Sequence, residues 1–189
     1  MNKSLSRAYH YTSQSLAMFI SQSHELKPQR PFIITERMCE LPVAAYLPSI
    51  WAFKEKIPRE WTESKEFEFV WRRIITHTHH SDPVLMRLDW EILPEDKAHV
   101  LDWAHMERVR EQMLRGQMGL SIEGDIGKIN QAAKRYFESR VPVQKYTKGY
   151  TLPELVFDKP VPLNRITTHE IMFEPNLRTF VYEEPTNYW

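Results

Sequence analysis

The sequence predicts an α+β fold, with strands toward both ends of the chain and helices between them. Residues Arg7–Ser13 combine aromatic side chains with a β-branched threonine, which favours extended structure. The C-terminal region contains three β-rich segments separated by prolines, at 154–157, 166–173 and 179–182. The chain has 189 residues, of which 42% are hydrophobic. That is enough for one buried core, so residues 1–189 are expected to form a single domain.

Helices are predicted where apolar residues recur at steps of three and four. Ser13 is a good N-cap for the first of them, because a serine hydroxyl accepts a hydrogen bond from a backbone N–H of the first turn. The predicted helical segments are 14–21, 65–76, 106–114 and 126–139. In the second of these, Arg72 and Arg73 are expected to face outward.

Proline shapes the segment that follows the first helix. Residues 27–31 form a turn, after which 32–35 are predicted to be a short strand. Residues 41–57 contain Pro42 and Pro48, which interrupt a continuous helix. We therefore expect two short helical pieces that join at Pro48.

A longer strand is predicted at 83–92, where side chains alternate between two faces. The apolar face carries Val84, Met86, Leu88, Trp90 and Ile92. The opposite face includes Arg87 and Asp89 and is expected to be the polar one. Residues 100–103 are predicted to be either another short strand or the start of a helix.

Charge and cysteine content narrow the classes of function. Lysine plus arginine and aspartate plus glutamate each number 25, so the formal net charge is zero and nothing global favours sequence-independent nucleic-acid binding. Cys39 is the single cysteine and predicts a reducing compartment, with the cytoplasm as the expected location. No apolar run reaches 18 residues, and the first residues lack the apolar core of a signal peptide. Neither membrane spanning nor export is expected.

Two short segments at opposite ends of the chain carry groups suited to chemistry. Residues 9–13 read Tyr-His-Tyr-Thr-Ser, which places His10 between two aromatic residues and before two hydroxyls. Glu154 opens an apolar strand that leads into the proline-containing loop 160–166 and a further strand. The two segments resemble the first-strand motif and the C-terminal glutamate strand of the ADP-ribosyltransferase superfamily.

The resemblance implies two split antiparallel sheets with flanking helices, and NAD as a co-substrate. It also implies transfer of ADP-ribose to a macromolecular target, nucleic acid or protein, as certain toxins do. Breaking the N-glycosidic bond of NAD develops positive charge on the ribose, so a carboxylate is needed beside that sugar. Glu154 would stabilise this charge and orient a ribose hydroxyl. His10 would hydrogen-bond another ribose hydroxyl.

The same resemblance implies further residues that contact NAD. Thr12 or Ser13 would lie near the nicotinamide end, and Tyr46 would stack on the nicotinamide, a role that Trp51 would serve as well. The implied NAD-binding residues besides His10 are Tyr11, Thr12, Ser13, Arg37 and Tyr46.

Two positions depart from the family pattern. Leu152 stands two residues before Glu154, where enzymes that modify arginine or asparagine carry a glutamate or glutamine. An arginine target is therefore less expected than nucleic acid, another side chain or water. His10 is also not followed by glycine, unlike the motif of the poly(ADP-ribose) polymerases.

A histidine cluster offers a competing interpretation. His77, His79 and His80 precede Asp82 in a pattern similar to the metal-binding loop of metallo-β-lactamase-type hydrolases. Pro83 occupies the place of a ligand histidine, and the cluster is interpreted as the solvated C-terminal end of a helix. No metal site is predicted.

Two further functions remain open at this point. The first is a non-enzymatic interaction or inhibitor protein of phage or mobile-element type, which would expose tryptophan and tyrosine on a convex surface. The second is the RNA 2′-phosphotransferase branch of the NAD-using fold. That branch requires an Arg-His-His type of cluster, whereas Arg7 precedes His10 here without a second histidine.

Overall fold

The structure is a computed structural model that describes residues 7–29, 41, 43–79, 84–118, 125–147, 149–174 and 179–186. Its strands are β1 (Arg7–Ser13), β2 (Glu25–Leu26), β3 (Ile50–Ala52), β4 (Leu85–Glu91), β5 (His99–Asp102), β6 (Val141–Pro142), β7 (Pro153–Phe157), β8 (Val161–Pro162), β9 (Thr167–Glu174) and β10 (Thr179–Thr186). Its α-helices are α1 (Gln14–Ser23), α2 (Arg59–Glu63), α3 (Val70–His79), α4 (Ala104–Glu107), α5 (Arg110–Gln117) and α6 (Ile126–Glu138). Short 3-10 segments cover Val43–Tyr46, Pro94–Asp96, Val143–Lys145 and Leu163–Arg165. Within these ranges, no helix has the length and apolar character that a bilayer crossing requires.

All described strand pairs are antiparallel, which confirms the α+β class. One four-stranded sheet has the order β1-β4-β9-β10, a second has the order β3-β7-β5-β6, and β2 pairs with β8. β1 is an edge strand of the first sheet and β3 is an edge strand of the second. The two edges meet where Tyr9 and Phe53 exchange backbone hydrogen bonds of 2.9 and 2.8 Å.

Helices cover the sheets according to their apolar faces. α3 packs on β1 and β4 through Trp71 and Ile75, which are buried together with Tyr11 and Trp61. α6 places Tyr136 and the residues around it in a second cluster against β5 and β7. Burial of such faces, rather than intrinsic propensity, supplies most of the stability of helices this short.

The start of α1 follows the prediction from its N-cap. The Ser13 hydroxyl oxygen accepts a 3.3 Å hydrogen bond from the backbone N–H of Leu16. The helix ends at His24, which adopts a left-handed conformation with φ of 57° and returns its N–H to the Ser21 carbonyl oxygen. The strand and helix therefore follow one another without a connecting loop.

The second helical piece predicted within 41–57 is wrong. Val43–Tyr46 forms the first piece as a 3-10 turn, but Ile50–Ala52 is strand β3. Its residues pair with β7, and Ile50 and Ala52 are each 2% exposed. Pairing with a distant strand overrides the local pattern here. The short strand predicted at 32–35 lies outside the described residues.

Two residues on the polar face of β4 are buried as deeply as its apolar face, whereas Glu91 at the end of the strand is exposed. Arg87 and Asp89 are 1% and 2% exposed. Arg87 donates to both carboxylate oxygens of Asp89, at 2.6 and 3.0 Å, and His169 Nε2 lies 3.2 Å from Asp89 Oδ2. β4 is a central strand between β1 and β9. The polar side chains of Arg87 and Asp89 therefore find their hydrogen-bond partners within the protein rather than in water.

Candidate functional site

His10 is fixed at the junction between the two four-stranded sheets. Its Nδ1 atom lies 2.6 Å from the main-chain oxygen of Trp51. A carbonyl can only accept, so we assign the imidazole proton to Nδ1. Burial lowers the pKa of His10, and the ring is therefore neutral at pH 7. Nε2 then carries a lone pair that can accept a hydrogen bond from a ligand hydroxyl.

Glu154 is the second residue of β7 and is 8% exposed. Its Oε2 atom accepts a 2.7 Å hydrogen bond from the phenol of Tyr136, which lies on α6. Burial raises the pKa of Glu154 to about 8, and the hydrogen bond from Tyr136 opposes that rise. The carboxyl group can therefore exchange its proton near neutral pH, as an acid–base or electrostatic residue in a cleft requires.

The start of β7 is held by two side chains from other elements. Asp102, at the end of β5, accepts hydrogen bonds from the backbone N–H groups of Ala104, Thr151 and Leu152, at 3.1, 3.2 and 2.9 Å. The indole N–H of Trp61 donates to the Pro153 carbonyl at 3.0 Å. These bonds fix the backbone on the N-terminal side of Glu154.

Trp51 lies beside both site residues. Its main-chain oxygen bonds His10, as described above, and its side chain packs against the buried cluster that contains Tyr136. Tyr136 donates to Glu154. One residue of β3 therefore contacts the imidazole from β1 and packs beside the phenol that bonds the carboxyl group of β7.

His10 and Glu154 both line one cavity of about 520 Å³. Its wall is mostly apolar and aromatic, and Trp51 and Trp103 contribute to it. A second cavity of about 490 Å³ adjoins it, since His10, Tyr11 and Trp51 line both. Each volume falls within the range of small-molecule sites, roughly 300 to 1,000 Å³.

The larger cavity also contains three charged side chains that the sequence analysis did not select. Glu107 of α4 pairs with Arg73 of α3, and Arg110 Nε lies 3.9 Å from Glu107 Oε1. The indole N–H of Trp103 donates to Glu107 Oε2 at 3.2 Å. All four residues line the cavity. A second carboxylate, neutralised by arginine, therefore shares the cavity with Glu154.

The smaller cavity has a polar side and an apolar side. The polar residues that line it are Thr12, Ser13, Ser23, Glu25, Lys27, Gln29 and Ser49. Leu16 and Phe19 of α1 form the apolar side and are 54% and 67% exposed. A ligand with a flat apolar surface and a polar edge fits this combination.

The other residues predicted to contact NAD differ in whether they line the two cavities. Tyr11 and Thr12 lie at the cavities, although the Tyr11 hydroxyl donates to the Lys56 carbonyl at 2.5 Å. Ser13 lines the smaller cavity, but its hydroxyl caps α1. Tyr46 is 52% exposed and lines neither cavity, whereas Trp51 lines both. Arg37 lies outside the described residues.

Sequence reasoning missed Tyr136, Trp103, Glu107 and Arg110. Arg73 was expected to face outward, but it forms an ion pair with Glu107 of α4 at the cavity. The only local signal was that Tyr136 lies on the apolar face of a strongly amphipathic helix. A pattern of this kind predicts burial and does not identify the partner.

The histidine cluster at 77–80 remains an untested hypothesis. His77 and His79 fall within α3, but His80 and Asp82 lie outside the described residues. Among the side chains that are described, no group of three or more histidine, cysteine, aspartate or glutamate residues is arranged to hold a metal ion.

Comparison with protein-family models, with curated proteins and with solved structures found no match to this chain.

Proposed function

We propose that this chain is an NAD-dependent ADP-ribosyltransferase that cleaves the N-glycosidic bond of NAD and transfers ADP-ribose to a macromolecule. One observation carries the proposal. His10 from the first strand and Glu154 from the C-terminal region line the same cavity of about 520 Å³. The meeting of two antiparallel sheets at the edges β1 and β3 supports an ADP-ribosyltransferase-like arrangement around that cavity.

The two adjoining cavities suit a ligand with two unlike ends. His10 and Trp51 lie where they adjoin, so a dinucleotide would pass these residues with one end on each side. Nε2 of His10 would accept from a ribose hydroxyl. Trp51, rather than the exposed Tyr46, lies where an aromatic ring can stack on the nicotinamide.

Cleavage of the N-glycosidic bond of NAD requires a negative charge beside the ribose. Cleavage sends the bonding electron pair to nicotinamide, which leaves as a neutral molecule, and leaves positive charge on the ribose. Ionised Glu154 would stabilise that charge in a mostly apolar cavity, where an electrostatic interaction is stronger than in water. Because the pKa of Glu154 is raised to about 8, the active ionised form becomes more populated as the pH rises toward that value.

The acceptor side of the cavity is assigned to Glu107. Position 152 is a leucine that is completely buried, so it contributes neither a carboxylate nor any other polar group to the cavity. Glu107 lines the cavity from α4 instead and can accept a hydrogen bond from the N–H or O–H of an acceptor group. Arg73 and Arg110 beside it would repel a cationic acceptor such as arginine. A neutral group on nucleic acid or protein is therefore the proposed target.

The rival function of a non-enzymatic interaction protein predicts exposed tryptophan and tyrosine on a convex surface and His10 and Glu154 far apart. Tyr46 is 52% exposed, but of the tryptophans in the described ranges none is exposed, and the two site residues share a cavity. These observations favour the enzyme over that rival.

The test is nicotinamide release from labelled NAD. The wild-type chain should release nicotinamide, and Glu154→Gln should reduce the rate by at least about 100-fold, as removal of one transition-state electrostatic group does. Glu138→Gln is the matched control, since Glu138 is an exposed carboxylate on α6. A folded wild-type chain that releases no nicotinamide, or a Glu154→Gln variant with full activity, would overturn the proposal.

A further inference from the structure

Tyr136 lies on the core side of Glu154. The side chain is 1% exposed, and the described residues that line the two cavities do not include it. Its ring packs edge-on against Trp103 and Phe137, with centroid distances of 5.7 and 4.8 Å. A buried ring held between two aromatic neighbours keeps its hydroxyl in one direction. Tyr136 therefore bonds Glu154 from the side of the core, opposite the cavity, and does not contact a ligand bound there.

The hydrogen bond between Tyr136 and Glu154 has a defined direction. An ionised carboxylate can only accept, so the phenol of Tyr136 donates to Glu154 Oε2, at 2.7 Å. A carboxyl group has two oxygens, so this bond holds Oε2 against the core and leaves Oε1 to a ligand in the cavity.

We propose that Tyr136 is a positioning residue, which holds the Glu154 carboxyl group in one orientation through its hydrogen bond to Oε2. The role in catalysis rests on the proposed function, but the hydrogen bond can be tested without it.

A hydrogen bond that holds the carboxylate should also favour its ionised form. The groups that share the cavity with Glu154 set its electrostatic environment as well. They are His10 from β1, Arg73 from α3, Glu107 from α4 and Arg110 from α5. A change confined to the Tyr136 hydroxyl leaves all four in place, so its effect on Glu154 can be read separately.

The first experiment follows the titration of Glu154 in Tyr136→Phe. The full chain is labelled with ¹³C at glutamate side-chain carboxyls, and the Glu154 signal is identified by its loss in Glu154→Gln. Loss of a hydrogen bond to a charged group should raise the titration midpoint by about one pH unit. Tyr146→Phe is the control, because Tyr146 packs on Tyr150 and its hydroxyl is not bonded to Glu154.

The second measurement separates positioning from mere stability. In Tyr136→Phe the rising limb of nicotinamide release against pH should move upward together with the Glu154 midpoint. The kcat for NAD should fall by about 10-fold at pH 7 with a much smaller change in KM. An unchanged midpoint in Tyr136→Phe overturns the inference. A midpoint that shifts in Tyr136→Phe, when the wild-type chain itself cleaves no NAD, supports the hydrogen bond from Tyr136 to Glu154 and refutes the enzymatic proposal.

Discussion

His10 Nδ1 lies 2.6 Å from the main-chain oxygen of Trp51, so the imidazole of β1 is bonded to the edge of the second sheet. This bond leaves Nε2 as the acceptor toward the two cavities, which His10 lines. It also explains how a strand at the start of the chain can present a neutral histidine at a fixed place.

His10→Ala should weaken NAD binding by about 10-fold, because one buried hydrogen bond to the ligand is lost. Titration calorimetry of the wild-type chain and the variant measures this directly. In a thermal scan, NAD at 100 times its Kd should stabilise the wild type by about 2.7 kcal/mol, and the same NAD concentration should stabilise the variant by less. His105→Ala, at a histidine outside both cavities, is the control. Equal affinity in His10→Ala and the wild type would remove His10 from the site.

Glu107→Gln should separate transfer from hydrolysis. If Glu107 orients the acceptor, the variant should lose at least about 10-fold of ADP-ribose transfer to a macromolecular target while it still releases nicotinamide into water. The measurement compares labelled ADP-ribose on macromolecules with free nicotinamide. Glu111→Gln, an exposed carboxylate on the neighbouring helix, should change neither rate. Equal losses of transfer and hydrolysis would place Glu107 with the NAD-binding residues instead.

The raised pKa of Glu154 predicts how stability depends on pH. The folded chain keeps this proton up to about pH 8, whereas the ordinary pKa of a glutamate is 4.5. The folded state therefore binds more protons than the unfolded state between these values, and the free energy of unfolding decreases as the pH rises through that window. The decrease for one group is about 1 kcal/mol per pH unit at the steepest.

Urea unfolding of the wild type and Glu154→Gln from pH 5 to pH 9 tests this dependence. The variant lacks the titrating group, so it should become progressively more stable than the wild type as the pH rises, and the difference should level off above about pH 8. Two parallel stability curves would mean that Glu154 titrates near its ordinary value in the folded chain.

The buried pair Arg87 and Asp89 predicts a large loss of stability when only one partner is removed. Asp89→Ala leaves a guanidinium without its bidentate partner in the core, and the expected loss is about 3 to 5 kcal/mol by urea unfolding. The double variant with Arg87→Met and Asp89→Leu should recover most of that loss. Glu63→Ala, at an exposed pair with Arg59, should cost less than about 1 kcal/mol. A small effect of Asp89→Ala alone would mean that water or another group replaces the carboxylate.

Local patterns were enough for elements whose stabilising contacts are close in sequence. Ser13 marks the start of α1 because its hydroxyl reaches a backbone N–H only three residues away. The amphipathic pattern of 126–139 also predicts α6, because the spacing of its apolar residues is local even though they pack against β5 and β7. Strand β3 escaped prediction because its pairing partner β7 lies about a hundred residues further on.

The site could be predicted only in part for the same reason. His10 and Glu154 were predicted because each lies in a short sequence motif, and both line the larger cavity. Glu107 and Arg73 are charged residues, which a helical pattern assigns to the solvated face. Their place at the cavity depends on the ion pair between α3 and α4, and the helical period of one segment does not predict which residue another helix presents.

The order of residues along the chain determined the chemical groups and most of the regular elements, because alternation, helical period and capping act over a few positions. Which carboxyl group is buried, which phenol bonds it and which strand lies beside His10 are properties of the packed chain. Tyr136 and Glu154 lie on different elements, and only burial in one core brings them within hydrogen-bond distance and raises the pKa of Glu154 to about 8.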